Sequence, residues 1–462
     1  MLSKLTIENI MAEAMTKGAD FSEVYCDDNR TTAVQLNGGS VEYGAQTRDL
    51  GVGIRVFKGL NNAYAFTNDM SEDSLVNLAG KTASMLGSKE SGKAKGLGSL
   101  TSYKENNILN LPTDVEYGRK IDLLKHIDSY GIKYDKRIKK INVNYYDCLQ
   151  NVLIANSDGL YVEDTRVKTR IRVSALADDG KNVYMGHIGP GAMAGYEYYE
   201  GLDLKWYAEE ACRMAIAMLE AKYAPAGNMS VIVDNGFGGL LFHEACGHSL
   251  EASSVSKGAS EFSGRLNETV ASPILTLIDD GSLPNRWGSL HVDDEGTKTQ
   301  KNVLIGNGVL KGYLVDKLSA RRMNTVSTGS GRRQSYRFAP TSRMTNTYIA
   351  PGASSRDDII KNTERGIFVR YINAGSVNPV NGEFNFSTTE SYMVENGKIT
   401  YPVKGATLIG TGGEILKKVD MIADNMDIGD GFCFAGSGSL FICAGQPTVR
   451  VSSMTIGGTG ND

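Results

Sequence analysis

Asn-Gly pairs at Asn307-Gly308, Asn381-Gly382 and Asn396-Gly397 each separate two apolar stretches. Such pairs accept the positive φ that tight hairpin turns demand, so each predicts two antiparallel strands. The same signal fills residues 21–68. There TAVQL, SVEYGA and GVGIRVF alternate apolar with polar residues, separated by Asn-Gly-Gly and other glycine-rich turns. With 53 glycines against 10 prolines, the chain is built for turns between strands more than for proline-rich spacers.

Helical periodicity is confined to a few segments. Residues 5–17 read as a short amphipathic helix ending near Gly18. Ser71, followed by Glu72 and Asp73, predicts a capped helix start. Residues 114–130 and 202–222 are also helical in pattern, and GSKESGKAKGLGSLTS between them and Ser71 reads as a mobile loop. Strands return over 138–187 and dominate again after Arg265. At 462 residues the chain exceeds the usual limit of one core. The expectation is an α+β fold of two domains, 1–224 and 225–462. Each combines antiparallel strands with a few helices, and the C-terminal half is strand-rich.

A net charge of -4 supplies no global basic field, which argues against nucleic acid as a partner. No run of about 18 apolar residues appears, so no membrane span is expected. The N-terminal stretch lacks the apolar core and cleavage site of a signal peptide. Six scattered cysteines read as reduced thiols, free to bind metal, and the favoured compartment is the cytoplasm.

The chemistry concentrates in His243-Glu244-Ala245-Cys246-Gly247-His248. A His-Glu pair followed by a second histidine on a helix is how zinc peptidases combine two ligands with a base. The usual spacing is i, i+4; here it is i, i+5. On a regular helix five residues advance about 500°, leaving the rings roughly 140° apart. A π-type turn, which accommodates one more residue, would bring them into line, and Gly247 could ease that distortion. The spacing therefore predicts a widened turn or a break between His243 and His248. Two of the chain's five histidines fall in this hexad. Cys246, three residues after His243, is either a further ligand or a small buried cysteine.

Other clusters are less specific. Glu251 either orients the His248 imidazole or is solvated. Asp293-Asp294-Glu295 reads as an exposed acidic loop in preference to a binding site. Arg332, Arg333, Arg337 and Tyr336 either grip a peptide carboxylate or pair with that acidic turn. GTGGE at 410–414 is not a phosphate loop, because no Gly-Lys-Ser/Thr follows.

The segment GGLLFHEACGHSLEA resembles the signature of the TldD/PmbA family of metalloproteases. So do HVDDEGTKTQKNVLIGNGVLKGYLVDKLSARRM, GSGRRQSYRFAPTSRMTNTYIAPG and the tail bearing GQPTVRV and TIGGT. The resemblance is strong over 230–460 and weaker before it. With the hexad intact, it points to the TldD-type catalytic subunit, since the PmbA (TldE) type lacks those residues. It implies a third metal ligand, Cys433, ahead of Gly445-Gln446-Pro447, whereas Cys443 does not match the family position. The implied site is a catalytic Zn2+ held by His243, His248 and Cys433 with an open fourth position, and Glu244 as general base. Implied partners are an unfolded or extended peptide, and a second subunit in a homodimer or a heterodimer with a PmbA/TldE-type chain. Two other functions stay open: a non-catalytic modulator, after the family's older description as modulators of DNA gyrase, and a metal hydrolase of a non-peptide bond.

Overall fold

The alternation in residues 21–68 becomes a meander of long strands, Phe21–Asn37, Ser40–Lys58 and Asn61–Thr67. The stretches SVEYGA and GVGIRVF merge into one strand because residues 46–50 between them stay extended. A Cβ on Gly44, Gly51 or Gly53 would strike Tyr117, Tyr336 or Tyr64 within 2.4 Å, so these glycines admit aromatic rings against the sheet. The computed structural model describes residues 1–87, 92–104, 108–378 and 380–458.

The meander continues into Ile138–Asn156 and Tyr161–Asp178, which pair antiparallel over most of their length. Thr101–Lys104 closes one edge in parallel, and Val183–Ile188 and Gly191–Ala192 also pair with Tyr161–Asp178. One apolar face of this sheet is covered by Tyr117–Gly131 and Leu204–Leu219, another part by Lys4–Ala14 and Glu72–Ser84. Ser71 does precede a helix, but its hydroxyl makes no capping bond. Glu72 instead accepts from Thr6 and Asn9, tying the two helices together. The segment expected to be a mobile loop lies outside the described residues at 88–91. Its described remainder is pinned: Lys95 donates to the Ser157 carbonyl, Gly98 to that of Gly159, and Leu97 is buried.

The C-terminal half holds an eight-stranded and a six-stranded sheet, both mixed. The hairpins at Asn307-Gly308 and Asn396-Gly397 have both residues at positive φ, as their sequence demands. At Asn381-Gly382 only Gly382 is positive, and the turn joins two thirteen-residue antiparallel strands, Arg365–Val377 and Glu383–Glu395. The six-stranded sheet ends in Gly438–Gln446 and then Asp427–Ala435, its edge strand. A large core that includes Phe242, Ala245, Cys246 and Leu250 fills the space between the two sheets. The architecture is α+β, with the later half strand-rich.

The acidic turn corrects its sequence reading. Asp293, Asp294 and Glu295 are fully buried, not an exposed loop. Arg166 binds Asp294 at 2.6 Å and Arg55 binds Glu295, so cations of the N-terminal sheet meet carboxylates of the C-terminal half. Arg333 joins in, donating through its backbone to Asp294 and through its guanidinium to Glu23 at 2.5 Å. Arg337 and Tyr336 bind Asp49 instead, and Arg332 caps the carbonyls of Met344 and Phe441. Carboxylates are buried here because each meets a donor.

Candidate metal centre

The strand Gly227–Val233, buried over its last three residues, delivers the chain to Gly236–Gly239 and the turn Leu240–Phe242. A Cβ on Gly239 would lie 2.4 Å from the Gly445 carbonyl, so two glycines let this helix start rest directly on the neighbouring strand. Gln446 locks the junction by donating to the carbonyls of Val233 and Asp234. His243–Gly247 then forms a π turn, followed by a 3-10 turn at His248–Leu250. The widened turn expected from the i, i+5 spacing is present, and the two imidazole centroids lie 5.4 Å apart.

Gly247 serves this turn by packing, not by backbone freedom. Its φ of -58° is ordinary, but a Cβ would meet the Met344 sulfur at 2.2 Å. Gly412, from the glycine-rich GTGGE, approaches the other side: its Cβ would lie 2.0 Å from the Ala245 carbonyl. The sequence signal for that motif is thus close backbone packing on the π turn.

Donor atoms of His243, Glu244, His248 and Cys433 all lie within 4.8 Å of one another. Cys433 sits on the edge strand Asp427–Ala435, with its Sγ 3.1 Å from His248 Nε2. Glu244 Oε2 is 3.4 Å from the same nitrogen. On the far side of the ring, His248 Nδ1 is 3.1 Å from Glu251, which turns Nε2 toward the cluster. Arg343, which sequence reasoning missed, braces both neighbours. It lies 3.5 Å from Glu251 and donates to the Cys433 carbonyl at 3.0 Å. No sequence signal singles it out among the surrounding arginines.

The electrostatics suit a cation. Burial, with His248, Arg343 and Arg332 adding to it, pushes the His243 imidazole well below its ordinary range, so it is neutral and able to ligate. Both its ring nitrogens are buried without a hydrogen-bond partner among the described residues. Burial opposes charge on His248, but Glu251 and the Cys433 thiol outweigh it and raise that imidazole. A ligating ion would displace this proton. Burial also raises the Glu244 carboxyl. Two imidazoles and a thiol are the donor types zinc prefers, and ligand atoms around a tetrahedral zinc stand about 3.5 Å apart. The residues present therefore fit the ion.

Cys246 takes the other role open to it: it is buried and directs its Sγ to the Phe242 carbonyl, outside the cluster. Cys443 is buried beside Asn346 and is not among the four donors. A cavity of about 1270 Å³ opens onto Glu244, His248 and Cys433. Its lining combines the edge strand Asp427–Ala435 with Arg170, Arg172 and residues 187–191 of the N-terminal half.

These features are those of a metallopeptidase family. Residues 226–458 match the PmbA/TldA metallopeptidase C-terminal domain, 110–219 the central domain and 22–86 domain 1. The chain belongs to the TldD/PmbA family of metallopeptidases. It is 37% identical over 461 residues to the metalloprotease TldD homolog of Buchnera aphidicola, covering 97% of this chain and 95% of that one. The metalloprotease TldD homolog of Haemophilus influenzae is 36% identical, with 99% and 97% covered. A zinc metalloprotease TldD homolog of Saccharolobus solfataricus is 27% identical over 72% of each chain. Among solved structures, TldE of Thermococcus kodakarensis superposes with a TM-score of 0.78 at 20% identity, over 98% of this chain and 99% of its own. No helix among the described residues is long and apolar enough to cross a membrane.

Proposed function

We propose that this protein is a zinc-dependent peptidase of the cytoplasm that hydrolyses unfolded or extended peptides. In this reading residues 225–462 form the catalytic unit, and His243, His248 and Cys433 hold the ion. The observation that carries it is the pair of buried, unpartnered nitrogens on His243, set within reach of three further donors. Buried polar groups are almost always paired, so this imidazole awaits a ligand.

A bound zinc ion would supply water acidified toward neutral pH and polarise the scissile carbonyl. Glu244, next to a ligand and facing the cavity, accepts the proton of the attacking water and delivers it to the leaving amine. Glu251 holds the His248 ring in orientation, and Arg343 steadies both Glu251 and the strand carrying Cys433. The substrate lies extended in the cavity beside the edge strand Asp427–Ala435.

The likeness to a TldE fold supports a dimer, either with a PmbA/TldE-type chain or with a second copy. Elemental analysis tests the core of the reading. Purified protein should hold close to one zinc per chain, lost in Cys433→Ser together with cleavage of unfolded peptides. A metal content near zero in protein purified without chelator, or cleavage that survives its loss, would sink it.

A further inference from the structure

Along Tyr161–Asp178 cations recur at every second position: Arg166, Lys168, Arg170 and Arg172. Side chains on a strand alternate between faces, so these four share one face, opposite the buried Val167, Ile171 and Val173. Three are satisfied. Arg166 binds Asp164 and Asp294, Lys168 binds the carbonyls of Trp287 and Ser289, and Arg170 binds Asp430 at 2.6 Å. The Arg172 side chain, which is exposed, makes no hydrogen bond or ion pair among the described residues, and it lines the metal-centre cavity. Burial, then the neighbouring Arg170, lowers its basicity, and no carboxylate acts to restore it.

His187 stands beside it, on the strand paired to the same face through Ser174. Burial, with Arg172 and Arg170 adding, lowers that imidazole to about 4, so at neutral pH it is an uncharged hydrogen-bonding group. Of the cavity's other arginines, Arg343 and Arg370 are in ion pairs; Arg286 is exposed, as Arg172 is, but its charge acts on Tyr198 and Cys443, whereas that of Arg172 acts on His187. The position relative to the chemistry follows from strand spacing. Asp430, which anchors Arg170, is three residues from Cys433, about 10 Å, and Arg172 is two residues beyond Arg170, about 7 Å. Arg172 and the metal centre thus line one cavity, a few extended residues apart.

We propose that Arg172, with His187 beside it, is a carboxylate-binding subsite of the cleft. It takes a C-terminal α-carboxylate or an Asp or Glu side chain a few residues from the bond that is cut. The proposal rests on the peptidase reading for its substrate but is testable by binding alone. A planar guanidinium whose donors are unused, in a cavity walled by protein, is suited to paired hydrogen bonds with a carboxylate.

The test uses zinc-loaded Glu244→Gln protein, which blocks turnover, and fluorescence anisotropy with three labelled hexapeptides of one neutral sequence. One ends in a free carboxylate, one in an amide, and one in an amide with a single Asp inserted. The expected result is at least about tenfold tighter binding of one carboxylate peptide than of the plain amide. Adding Arg172→Gln should abolish that preference without weakening the amide peptide, and Arg172→Lys should restore part of it. Whichever acid binds tighter identifies the source of the carboxylate. Equal binding of all three peptides, no binding, or loss of the preference in Arg286→Gln instead of Arg172→Gln overturns the proposal. Cleavage by the wild type is scored separately. Cleavage without a carboxylate preference removes only the subsite, and a preference without cleavage removes only the peptidase reading.

Discussion

Two buried polar regions of this molecule solve the same problem differently. In the acidic turn every carboxylate oxygen is answered. Asp293 accepts from the backbone of Glu295, Thr297 and Gly331; Asp294 from Arg166 and Arg333; Glu295 from Arg55 and Lys317. In the candidate metal centre His243 is as deeply buried, yet among the described residues neither ring nitrogen has a partner. The carboxylates of the first region are all answered as folded and hold two halves together. In the second, a whole imidazole is left open to a ligand. Charge and burial alone do not separate structure from function; whether the buried group is satisfied does.

The largest expected effect tests the second region. Glu244→Gln should retain zinc by elemental analysis and lose about 10²- to 10⁴-fold in the rate of peptide cleavage, the range of a general acid–base group. A variant that keeps its metal and cuts at the wild-type rate removes Glu244 from the chemistry. Next comes the first region. Arg333→Met takes the closest partner from fully buried Glu23 and leaves it Lys317 at 3.9 Å, so urea unfolding should show a loss of about 3 kcal/mol, the lower end for breaking a buried pair. Zinc content of the folded fraction should stay at the wild-type level. Loss of metal there would mean that the two regions are not separable.

A smaller effect with the opposite sign is expected at His243. Replacing an unpaired buried imidazole by a hydrocarbon removes a desolvated group that no bond compensates. The metal-free His243→Leu protein should therefore melt no lower than metal-free wild type, within about 1 kcal/mol. The rise in Tm that zinc gives the wild type should vanish. A large drop in the metal-free protein would mean that the ring has a structural role after all.

How much of this was legible follows the same division. The hexad announced itself, because its i, i+5 spacing is incompatible with a regular helix and compatible with a π turn, which is what forms. Cys433 was reachable only through resemblance: its approach to His248 depends on the edge strand of a sheet assembled from distant segments. The acidic turn was misread because three adjacent carboxylates look solvated until Arg55 and Arg166 arrive from the other half. Gly51 and Gly53 stood within a strand stretch, but the rings that require them, Tyr336 and Tyr64, are contributed from elsewhere. The cationic stripe ending at Arg172 was not read from the sequence, although its period of two is there; which member lacks a partner depends on where Asp294, Trp287 and Asp430 fold.

The subtlest test lies between the two regions. Asp27 faces the acidic turn from the N-terminal sheet, accepts long bonds from Gln150 and the Tyr336 backbone, and makes no ion pair among the described residues. Burial is the chief cause raising its carboxyl to about 7, with Asp294 adding to it. A carboxyl raised on folding binds its proton more tightly in the native chain than in the unfolded one. Between about pH 4 and pH 7 the folded state therefore carries more protons, and stability falls as pH rises through that window. A single group gives a slope of at most about 1.4 kcal/mol per pH unit. Asp27→Asn removes the titration, so its stability relative to wild type should climb from pH 5 to pH 8 and then level off. Parallel curves for the two proteins in urea unfolding across that range would show that Asp27 is ionised throughout. It would then belong with the satisfied carboxylates of the acidic turn, and His243 would be left as the better example of a buried group awaiting its partner.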